Sequence, residues 1–583
     1  MKEEFDSEKY QTQILGIFNA VDSLYQSRVN KSMSDKMLWH KMQQILREFP
    51  KDGNTFFSRD EIISGFKWLA TKKIIELDQE LVELIRLKPT RTISGVATVT
   101  VLTKPFPCPG NCIFCPNDIR MPKSYIASEP GAQRAGRNAF DPYLQTYNRL
   151  LALESIGHNI SKIELIVLGG TWSFYPENYQ IWFITRCYQA LNDFGISDQR
   201  IATAGIDFTD RLASATKAVK YNQLIANIND KETQTATWQD LFTAQKINET
   251  AICRNVGLVL ETRPDHITAK EVERLRKLGA TKIQIGIQSL NDEILTANKR
   301  DTSIAQIKNA FKLLRLAGFK IHGHMMPNLY KATLESDFAD YKLLFSKDFA
   351  PDELKIYPTS VIKGTELYEL AESGEYKPYN TTELIELLKK CFLITPRYCR
   401  LTRVIRDIPS QEIHIGNKIT NLRQIVELQM QQEKQSCQCI RCREIKSKQV
   451  AWQDIELEEI VYETTVTTEY FISYKTKAQD KICGFLRLAI VKQEARQDLP
   501  IKELSNTAII REVHVYGKVT DFGKQALDHT QHLGIGTALE LRAEEIAKSN
   551  NLAKISVISA IGTREYYRKL GFTLAELYMH KTI

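Results

Sequence analysis

The chain has no apolar run approaching the roughly 18 residues that a membrane span needs. An apolar leader is missing too: the opening MKEEFDSEKY is acidic and polar, which excludes a secretory signal. A cytoplasmic protein without a membrane partner is the expectation. No internal repeat is visible. The net charge of +8 over 583 residues is modest, so charge permits a polyanionic partner without requiring one. What the chain does have is ordinary globular composition, 43% hydrophobic and 25% charged, and length for about three or four domains. It also has eleven cysteines. Cys187, Cys253, Cys391, Cys399 and Cys483 stand alone, and the rest fall in two clusters at ligand spacing. That pattern points to metal sites rather than disulfides.

The first cluster is Cys108-x3-Cys112-x2-Cys115. Three thiolates can hold three irons of a [4Fe-4S] cluster and leave the fourth iron without a protein ligand. An open iron can take the amino and carboxylate groups of S-adenosylmethionine (SAM), whose reductive cleavage yields a carbon radical. Structural zinc would need a fourth ligand, and none lies nearby in sequence.

The surrounding texture gives the fold class. Residues 1–90 show helical periodicity (Ile14, Ile17, Phe18; Met37, Leu38, Met42, Leu46) with interspersed lysines, and read as a helical, basic region able to meet nucleic-acid phosphates. Strand-like runs then alternate with helical ones: 96–101, 163–168, 256–262, 282–288, 320–326 and 353–357, separated by helices such as 269–278 and 304–317. Such alternation predicts an α/β fold with parallel strands, a partial or full (β/α) barrel spanning 91–398. Active sites of these barrels lie at the carboxyl ends of the strands. The cysteine loop, Gly169-Gly170, Thr262-Arg263 and Gln288 all fall there, and are the expected SAM-positioning residues. The polar stretch 209–250 reads as an insertion over one barrel edge.

From 453 to 583 a second module is expected. Gln531-His532-Leu533-Gly534-Ile535-Gly536-Thr537 follows an extended segment and opens a helix. Glycines there let backbone N–H groups and the helix N-terminus approach a diphosphate. With the later Tyr566-Tyr567-x3-Gly571-Phe572, this resembles the GNAT acetyltransferase fold, which binds acetyl-coenzyme A. One tyrosine is expected in the core and one, Tyr567 by preference, at the thioester. Between the modules, 399–452 carries Cys437-x-Cys439-x2-Cys442, a knuckle for a second metal, zinc by ligand type, with His414 and Cys399 as candidate fourth ligands.

A SAM-radical barrel fused to an acetyltransferase resembles one family: the catalytic subunit of Elongator and its stand-alone prokaryotic relatives. The resemblance runs from about Lys88 to Ile583. It is carried by the segments 88–95, 108–122, 129–131, 140–143, 168–171, 261–265, 324–328, 354–359, 406–409, 511–517 and the tyrosine tail. The compact spacing of the first two cysteines departs from the wider eukaryotic one. The resemblance implies modification of the wobble uridine in the anticodon stem-loop of transfer RNA, giving 5-carboxymethyluridine. It maps coenzyme A contacts onto Lys162, Glu512, Val513, His514, Val515, Ile535, Gly536, Thr537 and the Tyr566–Tyr567 pair. In the expected reaction a SAM-derived radical takes a hydrogen from the acetyl methyl group. The carbon adds to C5, and thioester hydrolysis follows. An electron donor is needed. Arg397, Arg400, Arg403 and Arg406 are expected either to grip phosphates or to pair within the chain. The alternative is a protein lysine acetyltransferase with a structural iron–sulfur cluster.

Overall fold

The computed structural model describes residues 5–29, 35–52, 55–78, 81–82, 85, 95–196, 221–223, 225, 234–446, 450–516 and 534–583. The chain forms two compact units, one of Met1–Ala97 with Asn148–Ser161 and one of Thr98–Tyr147 with Lys162–Ile583.

The first unit contains helices Gln11–Val29, Asp35–Glu48 and Arg59–Thr71. Ile14, Ile17, Phe18 and Val21 recur at helical spacing and are buried with Ile62, Phe66 and Leu69. Ser58 and Glu61 form a capping box that starts the third helix. Gly65 lets that helix approach Ile14, where a Cβ would lie 2.7 Å from the isoleucine.

The second unit is built on two sheets. The first contains β1 (Ala97–Leu102), β2 (Lys162–Leu168), β3 (Arg254–Thr262), β4 (Lys282–Gln288), β5 (Lys320–Met325) and β6 (Glu353–Ile356). After β7 (Val361–Ile362) comes β8 (Arg400–Arg403), the last strand of this sheet, and β9 (Ile413–Ile415) pairs with β7 as a separate ribbon. The order is β1-β2-β3-β4-β5-β6-β8. Pairing from β2 onward is parallel, and the outer strands do not meet, so this is an open, partial barrel. Crossover helices start where the sequence supplies caps; Ser303 and Gln306 form the box that opens Ile304–Leu316. The stretch expected as an edge insertion carries one such helix, Trp238–Asn248. It is tied to the neighbouring helix by Asn192, whose amide donates to the Ala244 carbonyl at 2.9 Å.

The second sheet contains β10 (Ile455–Glu463), β11 (Thr467–Thr476), β12 (Ile482–Val491), β13 (Ala508–Val515), β14 (Lys554–Val557), β15 (Thr573–Leu574) and β16 (Met579–Thr582). Its order is β10-β11-β12-β13-β14-β16-β15. All pairs are antiparallel except β13 with β14.

This sheet closes the amino-terminal strand ends of the barrel. Asp352, just ahead of β6, accepts from Arg511 on β13 at 2.5 and 2.9 Å, and Arg315 and Arg487 stand at 3.3 and 3.4 Å. All four residues are buried. Arg276 donates to the carbonyls of Leu577 and Ser559, and the Tyr578 hydroxyl donates to that of Ala317. No helix among the described residues is long and apolar enough to cross a membrane.

Candidate active site

The cysteine loop leaves β1 and crosses the carboxyl ends of the barrel strands. Cys112 is buried and Cys108 and Cys115 are partly so; none is in a disulfide. The loop is held from several sides. Asn222 accepts from the Cys108 N–H and donates to its carbonyl, Ile113 N–H donates to the Asn298 carbonyl, and Leu367 N–H donates to that of Ile113. Arg300 Nη1 points at Cys112 Sγ from 3.7 Å. Cys115 hydrogen-bonds Cys112 and, with the charges of Arg300 and Arg263, brings the Cys112 thiol down to about 5 against the effect of burial.

The other mouth residues named from sequence gather at this end. Gly169 has φ +146°, and a Cβ there would collide with the Thr103 hydroxyl. At Gly170 a Cβ would meet the Tyr175 hydroxyl at 3.3 Å. The buried Thr262 hydroxyl donates to Ser173 at 2.8 Å. Gln288 ends β4 at φ +72°, a strained conformation for a non-glycine residue, and its amide oxygen is buried without a partner among the described residues. Three thiols, glycines whose space a side chain would fill and orphaned polar atoms suit an iron–sulfur cluster with a polar ligand beside it.

Sequence reasoning missed the barrel interior. Lys282 and Gln284 on β4, His322 and His324 on β5, and Glu353 and Lys355 on β6 alternate along buried strands. Lys355 Nζ donates to Gln284 Oε1 at 2.7 Å, and His324 Nε2 lies 3.2 Å from the same oxygen. Lower down, Lys282 pairs with Glu164 at 2.7 Å and Glu353 at 3.1 Å. Lys320 pairs with Glu353 and with Glu512 of β13. Burial pushes the Lys355 amine down to about 8 and keeps His322 and His324 neutral. Burial also opposes ionisation of Glu353, but Lys282 and Lys320 overcome it. The available signal was polar residues two apart in strands that a parallel sheet normally fills with aliphatics.

At the closed end β13 and β14 diverge. Their pairing covers Ala508–Ile510 against Ile555–Val557 and stops there. Glu512, Val513, His514 and Val515 are thus in register with β12 beyond the point where β14 pairing ends. Gly534, at φ +70°, caps the helix Ile535–Ser549, with open space where its side chain would be. At Gly536 a Cβ would lie 2.9 Å from the Tyr566 hydroxyl and 3.8 Å from Val515. Thr537 is in the same first turn. Tyr567, preferred from sequence, is buried against Phe572 and Tyr566. It is Tyr566 that reaches the glycine turn. Glu249 from the barrel side pins this tyrosine helix through Arg564 at 3.1 Å and Arg568 at 2.9 Å. Lys162 starts β2 opposite Arg254, and Gly562, just before the tyrosine helix, abuts Arg254 and Asn255. Lys162 therefore stands at the acetyltransferase end. Gln531 lies outside the described residues.

Cys437, Cys439 and Cys442 bring their sulfurs within 4.8 Å of one another. Arg423 donates to Cys442 Sγ at 3.3 Å. His414 turns instead to Glu372 at 2.8 Å, and Cys399 meets the knuckle through its carbonyl, which accepts from Ile440 N–H at 3.0 Å. The arginine segment pairs within the chain: Arg397 with Glu458 and Asp480, Arg400 with Glu444, Arg403 with Asp407 and Arg406 with Glu129.

The sequence matches the Radical SAM superfamily over residues 228–341 and the Radical_SAM C-terminal domain over 351–432. It is 39% identical to the tRNA uridine(34) acetyltransferase of Methanocaldococcus jannaschii over 516 residues, 86% of this chain and 87% of that one. It is 34% identical to Elongator complex protein 3 of Bos taurus over 86% of this chain and 87% of that one. A solved structure of Methanocaldococcus infernus Elp3 lacking its first 46 residues superposes with a TM-score of 0.65 at 35% identity, covering 84% of this chain and 100% of the other. With a radical SAM barrel closed by an acetyltransferase sheet, and with relatives this similar along nearly their whole length, the chain belongs to the family of tRNA uridine(34) acetyltransferases and Elongator complex protein 3.

Proposed function

We propose that this chain forms 5-carboxymethyluridine at the anticodon wobble position of transfer RNA, drawing the two-carbon unit from acetyl-coenzyme A. The observation that carries this reading is the closure of the barrel's amino-terminal strand ends by β13, the strand that diverges from β14. Polar side chains recur through the barrel interior between that strand and the cysteine loop. Two chemistries can then share one substrate base. The names of the relatives, tRNA uridine(34) acetyltransferase among them, support the substrate.

Cys108, Cys112 and Cys115 would hold the [4Fe-4S] cluster, and Gly169, Gly170, Thr262, Arg263 and Gln288 would line the SAM beside it. Together these cofactors supply a carbon radical, which suits C5 of uridine, a poor nucleophile toward a thioester. The Gly534–Thr537 turn and the Glu512–Val515 backbone would take the diphosphate and pantetheine of acetyl-coenzyme A. Tyr566, beside Gly536, would orient the thioester, and Lys162 would face it from β2. The base leaves its stack to reach the barrel. Lysines of the helical unit, such as Lys41, Lys72 and Lys73, would meet phosphates, so binding should weaken steeply with salt. Cys437, Cys439 and Cys442 would hold zinc.

The test is anaerobic incubation of transfer RNA with the protein, SAM, acetyl-coenzyme A and dithionite, followed by mass spectrometry of the nucleosides. Carboxymethyluridine that disappears in Cys112→Ala, with transfer RNA binding kept, supports the proposal. Peptide acetylation unaffected by Cys112→Ala, with no modified uridine, would establish the lysine acetyltransferase reading instead.

A further inference from the structure

Arg300 is a buried cation whose nearest anionic partner among the described residues is the Cys112 thiol rather than a carboxylate. It is 6% exposed, and no carboxylate among the described residues lies within 4.0 Å of it. Nη2 donates to the Gly286 carbonyl at 2.7 Å, Nη1 faces Cys112 Sγ at 3.7 Å, and Nε is buried with no partner among the described residues. A guanidinium buried in this way is costly unless a negative group offsets it. The neighbouring Arg263 differs. It forms a fork with Asp265, at 2.9 Å from both Nε and Nη2, so its charge is largely answered. Its Nη2 also donates to the Arg300 carbonyl at 2.9 Å and thereby seats that residue. Its Nη1 occupies the space a side chain at Gly110 would need, which explains a glycine in the middle of the cysteine loop.

An iron–sulfur cluster on three thiolates is anionic, and accepting an electron adds one more negative charge. A fixed positive charge beside a ligating sulfur stabilises the reduced form more than the oxidised one. We infer that Arg300, seated by Arg263, sets the reduction potential of the cluster on Cys108, Cys112 and Cys115 and so its readiness to accept an electron. This rests on the reading that the cysteine loop carries a [4Fe-4S] cluster.

The experiment is an EPR-monitored redox titration of the reconstituted full chain, with neither SAM nor transfer RNA present. Iron content and visible absorbance are measured on the same samples. Arg300→Gln should keep its iron but hold at least tenfold less reduced cluster at a fixed poise, a negative shift of about 59 mV for a one-electron couple. Arg300→Lys should shift less. Lys299→Gln, which removes an exposed cation paired with Glu366, should not shift the midpoint. Full iron with an unmoved midpoint in Arg300→Gln overturns the inference. Wild-type protein without iron would overturn the cluster reading itself. Should Arg300→Gln fail to fold or load, pulsed EPR of reduced wild type grown with 15N-arginine decides. A guanidinium nitrogen coupling present in wild type and lost in equally labelled Arg300→Lys supports the assignment, and a coupling absent from wild type or unchanged in Arg300→Lys refutes it.

Discussion

Asn222 takes both backbone polar groups of Cys108: its amide oxygen accepts from the Cys108 N–H at 3.0 Å, and its amide nitrogen donates to the Cys108 carbonyl at 2.9 Å. The first cysteine of the loop is thus positioned by a residue more than a hundred places away in sequence. Each bond contributes about 1 kcal/mol, and losing both frees the Cys108 backbone. Asn222→Ala should therefore lower iron retention severalfold, measured as iron per chain after anaerobic desalting. Its thermal unfolding should stay close to wild type. Unchanged retention would count against the clamp.

Lys355 gives a pH signature. Its amine is pushed down to about 8 by burial, against about 10.4 in an unfolded chain. Below pH 8 both states carry the proton, so the folded state bears the full penalty. Between pH 8 and 10.4 only the unfolded state holds it, so folding stability rises with pH, by up to about 3 kcal/mol. Lys355→Met should remove that rise, and the difference between variant and wild type should shrink across this window in denaturant titrations. Parallel curves would refute the assignment.

The two tyrosines should separate by readout. Tyr566→Phe should leave folding intact while slowing transfer-RNA-dependent loss of acetyl-coenzyme A. Tyr567→Phe alters a residue in the core and should act mainly on stability. Gly536→Ala places a methyl group 2.9 Å from the Tyr566 hydroxyl. It should weaken acetyl-coenzyme A binding severalfold by calorimetry. Gly534→Ala meets no atoms within 4 Å and should cost only the backbone strain of its positive φ, about 1 kcal/mol.

Glu249 is 1% exposed as a side chain and holds Arg564 and Arg568 on either side of the tyrosine pair. Glu249→Gln should loosen that helix. Faster amide exchange at 564–569 and weaker acetyl-coenzyme A binding are expected, with iron content unchanged. A variant whose exchange matches wild type would show that the ion pairs are incidental.

Much of this was legible in the sequence. The strands Lys282–Gln288 and Lys320–Met325 match their expected bounds closely, because each is a short extended run set between a helical stretch and a turn, as a parallel α/β sheet requires. The place of the cysteine loop at the carboxyl strand ends and of the glycine turn at a helix start could be read because turns and caps restrict which residues fit there. The contacts of Arg300 and Asn222 with the cysteine loop were not legible: each spans a large sequence separation, and neither spacing nor composition records which loop a side chain will meet. The choice between Tyr566 and Tyr567 hung on helix rotation, which a six-residue helix barely encodes. The arginines at 397–406 look like a phosphate grip until their partners, scattered from Glu129 to Asp480, are brought together by folding.

Asp352 belongs to the barrel, whereas Arg487 and Arg511 come from the acetyltransferase sheet. Severing the gene between the two coding regions would strip Asp352 of two of its three arginines and leave it Arg315, while Arg511 and Arg487 would keep Glu469 and Glu512. A foreign version of either region would have to present matching charges at this seam.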